Sequence, residues 1–219
     1  MAPVEVGQKT RVFVVDDHPI VRQGLAQLIN QEADLVVCGQ AEDARTTLEC
    51  LEPARPDIMI VDVSLEGPDG IELLKEIRSR DSRLPVLILS MHDEWLYAER
   101  ALRAGANGYI MKQEATEMVL TAIRRIMSGE SYVSDRMARK MVQQFVGAGA
   151  SKQSSIEDLT DRELEVFRLV GQGLSTRQIA ERLHLSVKTV ETYYAHIKDK
   201  LSLKNARELV QYAVEWSRR

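Results

Sequence analysis

The chain has 219 residues, 44% of them hydrophobic, with a formal net charge of −4. That is apolar material for one large core or two small ones, and two domains is the better expectation. No apolar stretch approaches the roughly 20 residues of a membrane-spanning helix, and the N-terminus lacks the basic-then-apolar pattern of a signal peptide, so a cytoplasmic protein with no membrane partner is expected.

Short runs rich in Val, Ile and Leu alternate with stretches of helical periodicity from Arg11 to Met127, the pattern of repeated βα units. It predicts strands over 11–15, 35–39, 58–61, 86–89 and 108–111. Helices are expected after each, over 19–30, 44–51, 70–80, 94–104 and 116–128. The implied fold is α/β, a five-stranded parallel sheet covered by helices on both faces. An amphipathic helix follows over 135–146, and Gly147-Ala-Gly-Ala-Ser-Lys-Gln-Ser-Ser155 has the composition of a flexible tether. Cys38 and Cys50 have no metal-ligand spacing and read as reduced structural thiols.

The ends of the apolar runs carry the chemistry. Asp16 and Asp17 follow the first run, Asp62 follows the third, Ser90 ends the fourth and Lys112 ends the fifth. In a parallel sheet all five stand at one edge, where strand ends open onto a crevice. An aspartate can accept a phosphoryl group, but the donor is an anion, so a divalent cation and an ammonium must offset the gathering charge. Asp16, Asp17 and Asp62 offer oxygen ligands, Lys112 the positive charge, and Ser90 a hydroxyl for the attached phosphate. A covalent phosphatase would want a second carboxylate two residues after Asp62, where Ser64 stands.

Val14-Val-Asp-Asp-His18, Pro56-Asp-Ile-Met-Ile-Val-Asp62 with Gly70 eight residues on, Leu89-Ser90 and Gly108-Tyr-Ile-Met-Lys112 resemble the receiver domain of bacterial response regulators. The resemblance implies a flavodoxin-like doubly wound sheet in which Asp62 is the phosphoacceptor. It further implies Asp17 as a direct Mg²⁺ ligand supported by Asp16, with Asp62 and the Ser64 backbone carbonyl also on the metal. By the same resemblance Ser90 is the switch hydroxyl, Lys112 the phosphate-contacting amine and Tyr109 the switch aromatic, while Ser64 and His92 tune the lifetime of the phosphoryl group. Two departures stand out: Glu66 four residues after Asp62, where receivers often have Pro, and Gln113 after Lys112, where many have a cis-Pro.

Beyond the tether the pattern is wholly helical. From Ile156 onward 11 Lys and Arg face 10 Asp and Glu, so charge alone does not announce nucleic-acid binding. Thr160 with Glu163 and Ser175 with Gln178 form two capping boxes that each open a helix. The first offers Leu164, Phe167, Leu169 and Val170 to a core and ends at Gly171 or Gly173; the second buries Ile179, Ala180 and Leu183. Ser186 caps a third helix to about Leu201. Two short helices joined so tightly form a helix-turn-helix, whose later helix can enter the major groove. With Val190, Ile197 and Leu201 inward, Lys188, Glu191, Thr192 and Ala195 face bases and Thr189, Tyr193 and Lys198 suit phosphates. Glu191 repels phosphates unless it accepts from a cytosine amino group, so each half-site binds weakly and dimerisation supplies affinity.

Leu159-Thr-Asp-Arg-Glu163, Gly173-Leu-Ser-Thr-Arg-Gln-Ile-Ala180 and Leu185-Ser-Val-Lys-Thr-Val-Glu-Thr192 resemble the LuxR-type DNA-binding domain. A receiver followed by this module resembles a two-component response regulator of the NarL/FixJ type. The expected division is a receiver at 9–130, a connecting helix and linker at 131–158, and a small all-α helix-turn-helix domain at 159–219. The resemblance implies a phosphoprotein that is not an enzyme but a transcription regulator, with Mg²⁺, a sensor histidine kinase, double-stranded promoter DNA and a second copy of itself, as an active homodimer, for partners. It also implies that the last helix, with Leu209, Tyr212, Ala213 and Trp216 near one face, joins the dimer interface; burial within one subunit is the alternative. A phosphate-independent DNA-binding regulator, with a degenerate or ligand-responsive receiver, is the other reading, and Glu66 keeps it open.

Overall fold

A computed structural model describes residues 9–65, 69–91, 94–146, 156, 159–183 and 185–217. The chain divides into two compact units, Met1–Ala148 and Gly149–Arg219. The expected tether at 147–155 lies outside the described residues.

The first unit is a five-stranded parallel sheet of β1 (Thr10–Val15), β2 (Leu35–Ala41), β3 (Ile58–Asp62), β4 (Val86–Ser90) and β5 (Gly108–Met111), in the order β2-β1-β3-β4-β5. Between them run α1 (Pro19–Asn30), α2 (Ala44–Ala54), α3 (Gly70–Arg80) and α4 (Glu94–Arg103), with α5 (Ala115–Met127) after β5. Every residue of β3 and β4 is buried, because helices cover both faces of the sheet. Leu25 and Ile29 of α1 join Val119, Ala122 and Ile123 of α5 on one face, against Val12, Ile58, Leu87 and Ile110. This is the doubly wound order, with its strand order reversing at β1 and β3.

The expected ends hold within a residue or two, except at one helix. Asp43 caps α2, its side chain accepting from the Thr46 amide, and α2 runs three residues past the expected end, through Pro53 to Ala54. A short 3-10 turn, Lys112–Glu114, leads into α5. Lys112 therefore opens that turn, directly after the strand ends at Met111 as expected.

After α5 the chain returns along the free edge of β5. Tyr132 accepts from the Tyr109 amide through its carbonyl at 2.8 Å and donates to the Asn107 carbonyl at 3.0 Å. Then α6 (Asp135–Val146) begins and packs on α4, with Met137 buried.

The second unit holds α7 (Asp161–Gly171), α8 (Thr176–Arg182), α9 (Val187–Lys200) and α10 (Ala206–Ser217). Both capping boxes form, at Thr160 with Glu163 and at Ser175 with Gln178. Leu164, Phe167, Leu169, Val170, Ile179, Ala180, Val190, Ile197 and Leu201 are buried as expected, whereas Leu183 is only half-buried because it follows the last turn of α8. Gly171 lets α10 approach α7: a Cβ there would stand 2.5 Å from the Ala213 carbonyl oxygen.

Candidate functional site

The site of the first unit is built by register. Val15 pairs with Val61 and Asp62 with Leu89, so the residue leaving β1, the last residue of β3 and the end of β4 lie side by side at the C-terminal edge. Ser90 pairs with Met111, which sets Lys112 one residue beyond. Asp16, Asp62 and Ser90 are each 1% exposed or less, and Tyr109, paired with Ile88 on β4, is buried on β5 three residues before Lys112.

Lys112 Nζ lies 2.7 Å from Asp62 Oδ2 and 2.8 Å from Asp16 Oδ2. Burial alone would lower the ammonium's pKa; the facing carboxylates outweigh it and raise it. Asp62 moves the other way. Burial, helped by Asp16 and only partly opposed by Lys112, pushes its carboxyl up to about 6. Ser64 donates its amide to Asp62 Oδ1 at 3.2 Å, and His18 donates its amide to Asp16 Oδ1 at 2.9 Å. Asp16, Asp17, His18 and Asp62 can each bring one ligand atom within 4.8 Å of all the others. Asp16 Oδ2 and Asp17 Oδ1 are buried and accept no well-aligned hydrogen bond, although Lys112 Nζ and His18 Nδ1 stand close to them in turn. Hard oxygens left short of donors in an acidic pocket suit a hard divalent cation.

The sequence reading had not assigned His18 a role, yet its ring pairs with Asp17 and lies 3.6 Å from Asp16. Its place directly after two aspartates at a strand end was the available signal. One supporting residue, Asp69, was also missed, and the reason for Gly70, quoted in the motif, was not seen. Asp69 is buried and caps α3, accepting from the amides of Ile71 and Glu72. Gly70 packs so closely on the end of β3 that a Cβ would stand 1.9 Å from the Asp62 carbonyl oxygen. His92 and Glu66 lie outside the described residues.

In the second unit α8 and α9 form the expected pair. Ser186 caps α9, accepting from the Thr189 amide at 3.0 Å. Lys188, Glu191, Thr192 and Ala195 are exposed, while Thr189, Tyr193 and Lys198 are half-buried flanking positions. Glu163, 4% exposed at its side chain, holds α9 to α7: its Oε2 accepts from Lys200 Nζ and from the Thr160 amide, each at 2.7 Å. The last helix turns its named residues inward. Leu209 and Ala213 are buried, and the Tyr212 and Trp216 rings lie 5.8 and 5.7 Å from that of Phe167. Leu209 and Ala213 thus serve the core of their own domain, while Tyr212 and Trp216 are half-buried against Phe167, which offers an aromatic surface between the helices.

Comparison with known proteins agrees with this geometry. The family described as the response regulator receiver domain matches residues 12–124, and the bacterial regulatory proteins of the luxR family match residues 157–213. The chain is 36% identical to the oxygen regulatory protein NreC of Staphylococcus haemolyticus, over 94% of this chain and 97% of that one. The structure of RcsB from Salmonella enterica serovar Typhimurium, bound to promoter rprA with a phosphomimetic, is 25% identical with a TM-score of 0.60, covering 94% of this chain and 99% of that one. A LuxR-family two-component response regulator from Aurantimonas is 34% identical with a TM-score of 0.59, over 64% of this chain and 99% of that one. The chain therefore belongs to the response regulators of two-component systems, DNA-binding transcription regulators that join a receiver domain to a LuxR-type helix-turn-helix domain.

Proposed function

We propose that Asp62 is the phosphoacceptor of this regulator, and that the phosphoryl group comes from a sensor histidine kinase. The carrying observation is Lys112 Nζ set between Asp62 and Asp16, at 2.7 and 2.8 Å, beside the oxygens of Asp17. An Asp62 carboxylate oxygen attacks phosphorus as the bond to the donor's histidine nitrogen breaks. Lys112 stays paired to the growing negative charge, and the buried Ser90 hydroxyl supplies a hydrogen bond to the transferred group. Asp16, Asp17, Asp62 and the Ser64 carbonyl are the residues to hold Mg²⁺, which when bound supplies positive charge to the phosphoryl oxygens. Ser90 and Tyr109 carry the change outward, and Ser64 and His92 set how long the phosphoryl group lasts.

The receiver spans 9–130, the connecting helix and linker 131–158 and the DNA-binding domain 159–219. Double-stranded promoter DNA is read by α9, with Lys188, Glu191, Thr192 and Ala195 at bases and Thr189, Tyr193 and Lys198 at phosphates, and the active form is a homodimer in the cytoplasm. The RcsB complex with promoter DNA supports the choice of duplex DNA as partner.

Intact mass after incubation with Mg²⁺ and acetyl phosphate tests the assignment. One phosphoryl adduct is expected on the wild type and none on Asp62→Asn; an adduct that survives in the variant refutes Asp62 as acceptor.

A further inference from the structure

The outer face of α9 carries an acidic group where it is least welcome. In this domain Glu163 is held by Lys200, Glu165 by Arg162, Glu181 by Arg177, Glu208 by Asn205 and Glu215 by Gln211. Glu191 is exposed and, among the described residues, makes no hydrogen bond or ion pair. It stands one turn after Lys188, on the face shared with Thr192 and Ala195. A free carboxylate on a helix that meets a polyanion weakens every complex in which it finds no donor. Its effect therefore differs sharply from one base sequence to another.

We propose that Glu191 is a specificity-determining residue that selects cytosine in the major groove. This inference rests on the reading that α9 enters duplex DNA. A carboxylate only accepts, and the major-groove edge offers it two donors, the exocyclic amino groups of cytosine and adenine. Adenine places the N7 lone pair beside its amino group, against the second carboxylate oxygen. Cytosine places a C–H there, so it satisfies the acid without repulsion. Guanine and thymine present acceptors to the same spot and are rejected. The Thr192 hydroxyl donates to the Lys188 carbonyl at 3.0 Å, which holds that side chain back along its own helix, so Glu191 is the charged acceptor on this face. Ala195 adds only a methyl, a surface for a thymine methyl group on a neighbouring pair.

Selection from a randomised duplex library, using the full chain with Mg²⁺ and acetyl phosphate, tests the proposal. The wild type is expected to enrich a motif with cytosine at one position of each half-site, and changing that pair to any other is expected to weaken binding by about 5- to 150-fold. Glu191→Gln, which can donate and accept, is expected to keep the rest of the motif and move that position to adenine. Lys188→Ala is expected to weaken binding without moving it. If Glu191→Gln enriches the same base at every position as the wild type, the Glu191 assignment falls while DNA reading by α9 stands. If the wild type enriches no sequence at all, the reading of α9 as a base-reading helix falls and this inference with it. Circular dichroism on both variants confirms that these exposed substitutions leave the helices folded.

Discussion

Ser134 turns both its backbone amide and its hydroxyl onto the carboxylate of Glu94, a residue 40 positions earlier in the first turn of α4. The same hydroxyl accepts from the Met137 amide at 3.1 Å and so caps α6. The start of the connecting helix is thereby tied to the helix that follows Ser90.

Removing that cap gives a direct test of the tie. Ser134→Ala removes the hydroxyl's bonds to the Met137 amide and to Glu94 Oε2 and leaves only the backbone amide of residue 134 on the Glu94 carboxylate, at a cost of about 1 kcal/mol. Hydrogen exchange across residues 135–143 should quicken several-fold, while β3 and β4 keep their protection. Unchanged exchange in α6 would show that Met137 packing alone holds the helix.

Gly70 makes a second prediction. A methyl group 1.9 Å from the Asp62 carbonyl oxygen cannot be accommodated by a side-chain rotation, because the obstacle is backbone. Gly70→Ala is expected to destabilise the receiver by about 2–3 kcal/mol and to slow phosphorylation, since β3 can relieve the clash only by shifting Asp62. Denaturant unfolding and the adduct yield from acetyl phosphate read the two effects.

Much of this was legible in the residues themselves. Strands buried on both faces must be apolar throughout, so polar residues at their ends mark the open edge, and Asp16, Asp17, Asp62, Ser90 and Lys112 could be found without coordinates. The capping boxes at Thr160 and Ser175 are likewise local, each spanning four residues. What stayed hidden depends on approach between distant parts of the chain. The Ser134 contact with Glu94 has no periodicity to betray it. The turn of Tyr212 and Trp216 toward Phe167 depended on which face of α10 meets α7, which an amphipathic pattern leaves open between core and partner. Nor does sequence show that Gly70 is there for want of room beside Asp62.

The Asp62 carboxyl sets a pH dependence with a definite sign. Its folded pKa, pushed up to about 6 by burial, exceeds the ordinary aspartate value of 3.8. The folded metal-free protein thus holds this proton more tightly than the unfolded chain. The associated stability is fully present below pH 3.8 and lost as pH rises through 6. A shift of that size amounts to roughly 3 kcal/mol at neutral pH, some of it offset in any variant by loss of the Lys112 ion pair. Metal-free Asp62→Asn is therefore expected to be about 1–2 kcal/mol more stable than the wild type at pH 7.5, the difference shrinking toward pH 5. Adding Mg²⁺ should stabilise the wild type more than the variant. Thermal unfolding across pH, with and without the ion, checks both statements, and a variant less stable than the wild type at pH 7.5 would refute the first.

The opposite sign holds in the DNA-binding domain. Burial raises the Glu163 carboxyl, but hydrogen bonds from Lys200 and Thr160 outweigh it and hold the pKa below 4.5. Here the folded state favours the charged form. The contribution is present above pH 4.5 and fades as pH falls through the lowered value. Glu163→Ala removes one half of the capping box and leaves the exposed Lys200 without its partner, so a loss of about 1–2 kcal/mol is expected near neutral pH. Because the same carboxylate holds α9 to α7, DNA affinity should fall with it even though Glu163 itself is buried away from the outer face of α9. Glu163→Gln separates the two contributions: its amide oxygen can still accept from the Thr160 amide, so it should recover the cap but not the attraction to Lys200. Unfolding of the full chain in a Trp95→Phe background, so that fluorescence reports Trp216 beside Phe167 alone, should place Gln between Glu and Ala at pH 7 and bring Glu and Gln together once the pH falls below the lowered value, with Ala, which has no cap, still the least stable.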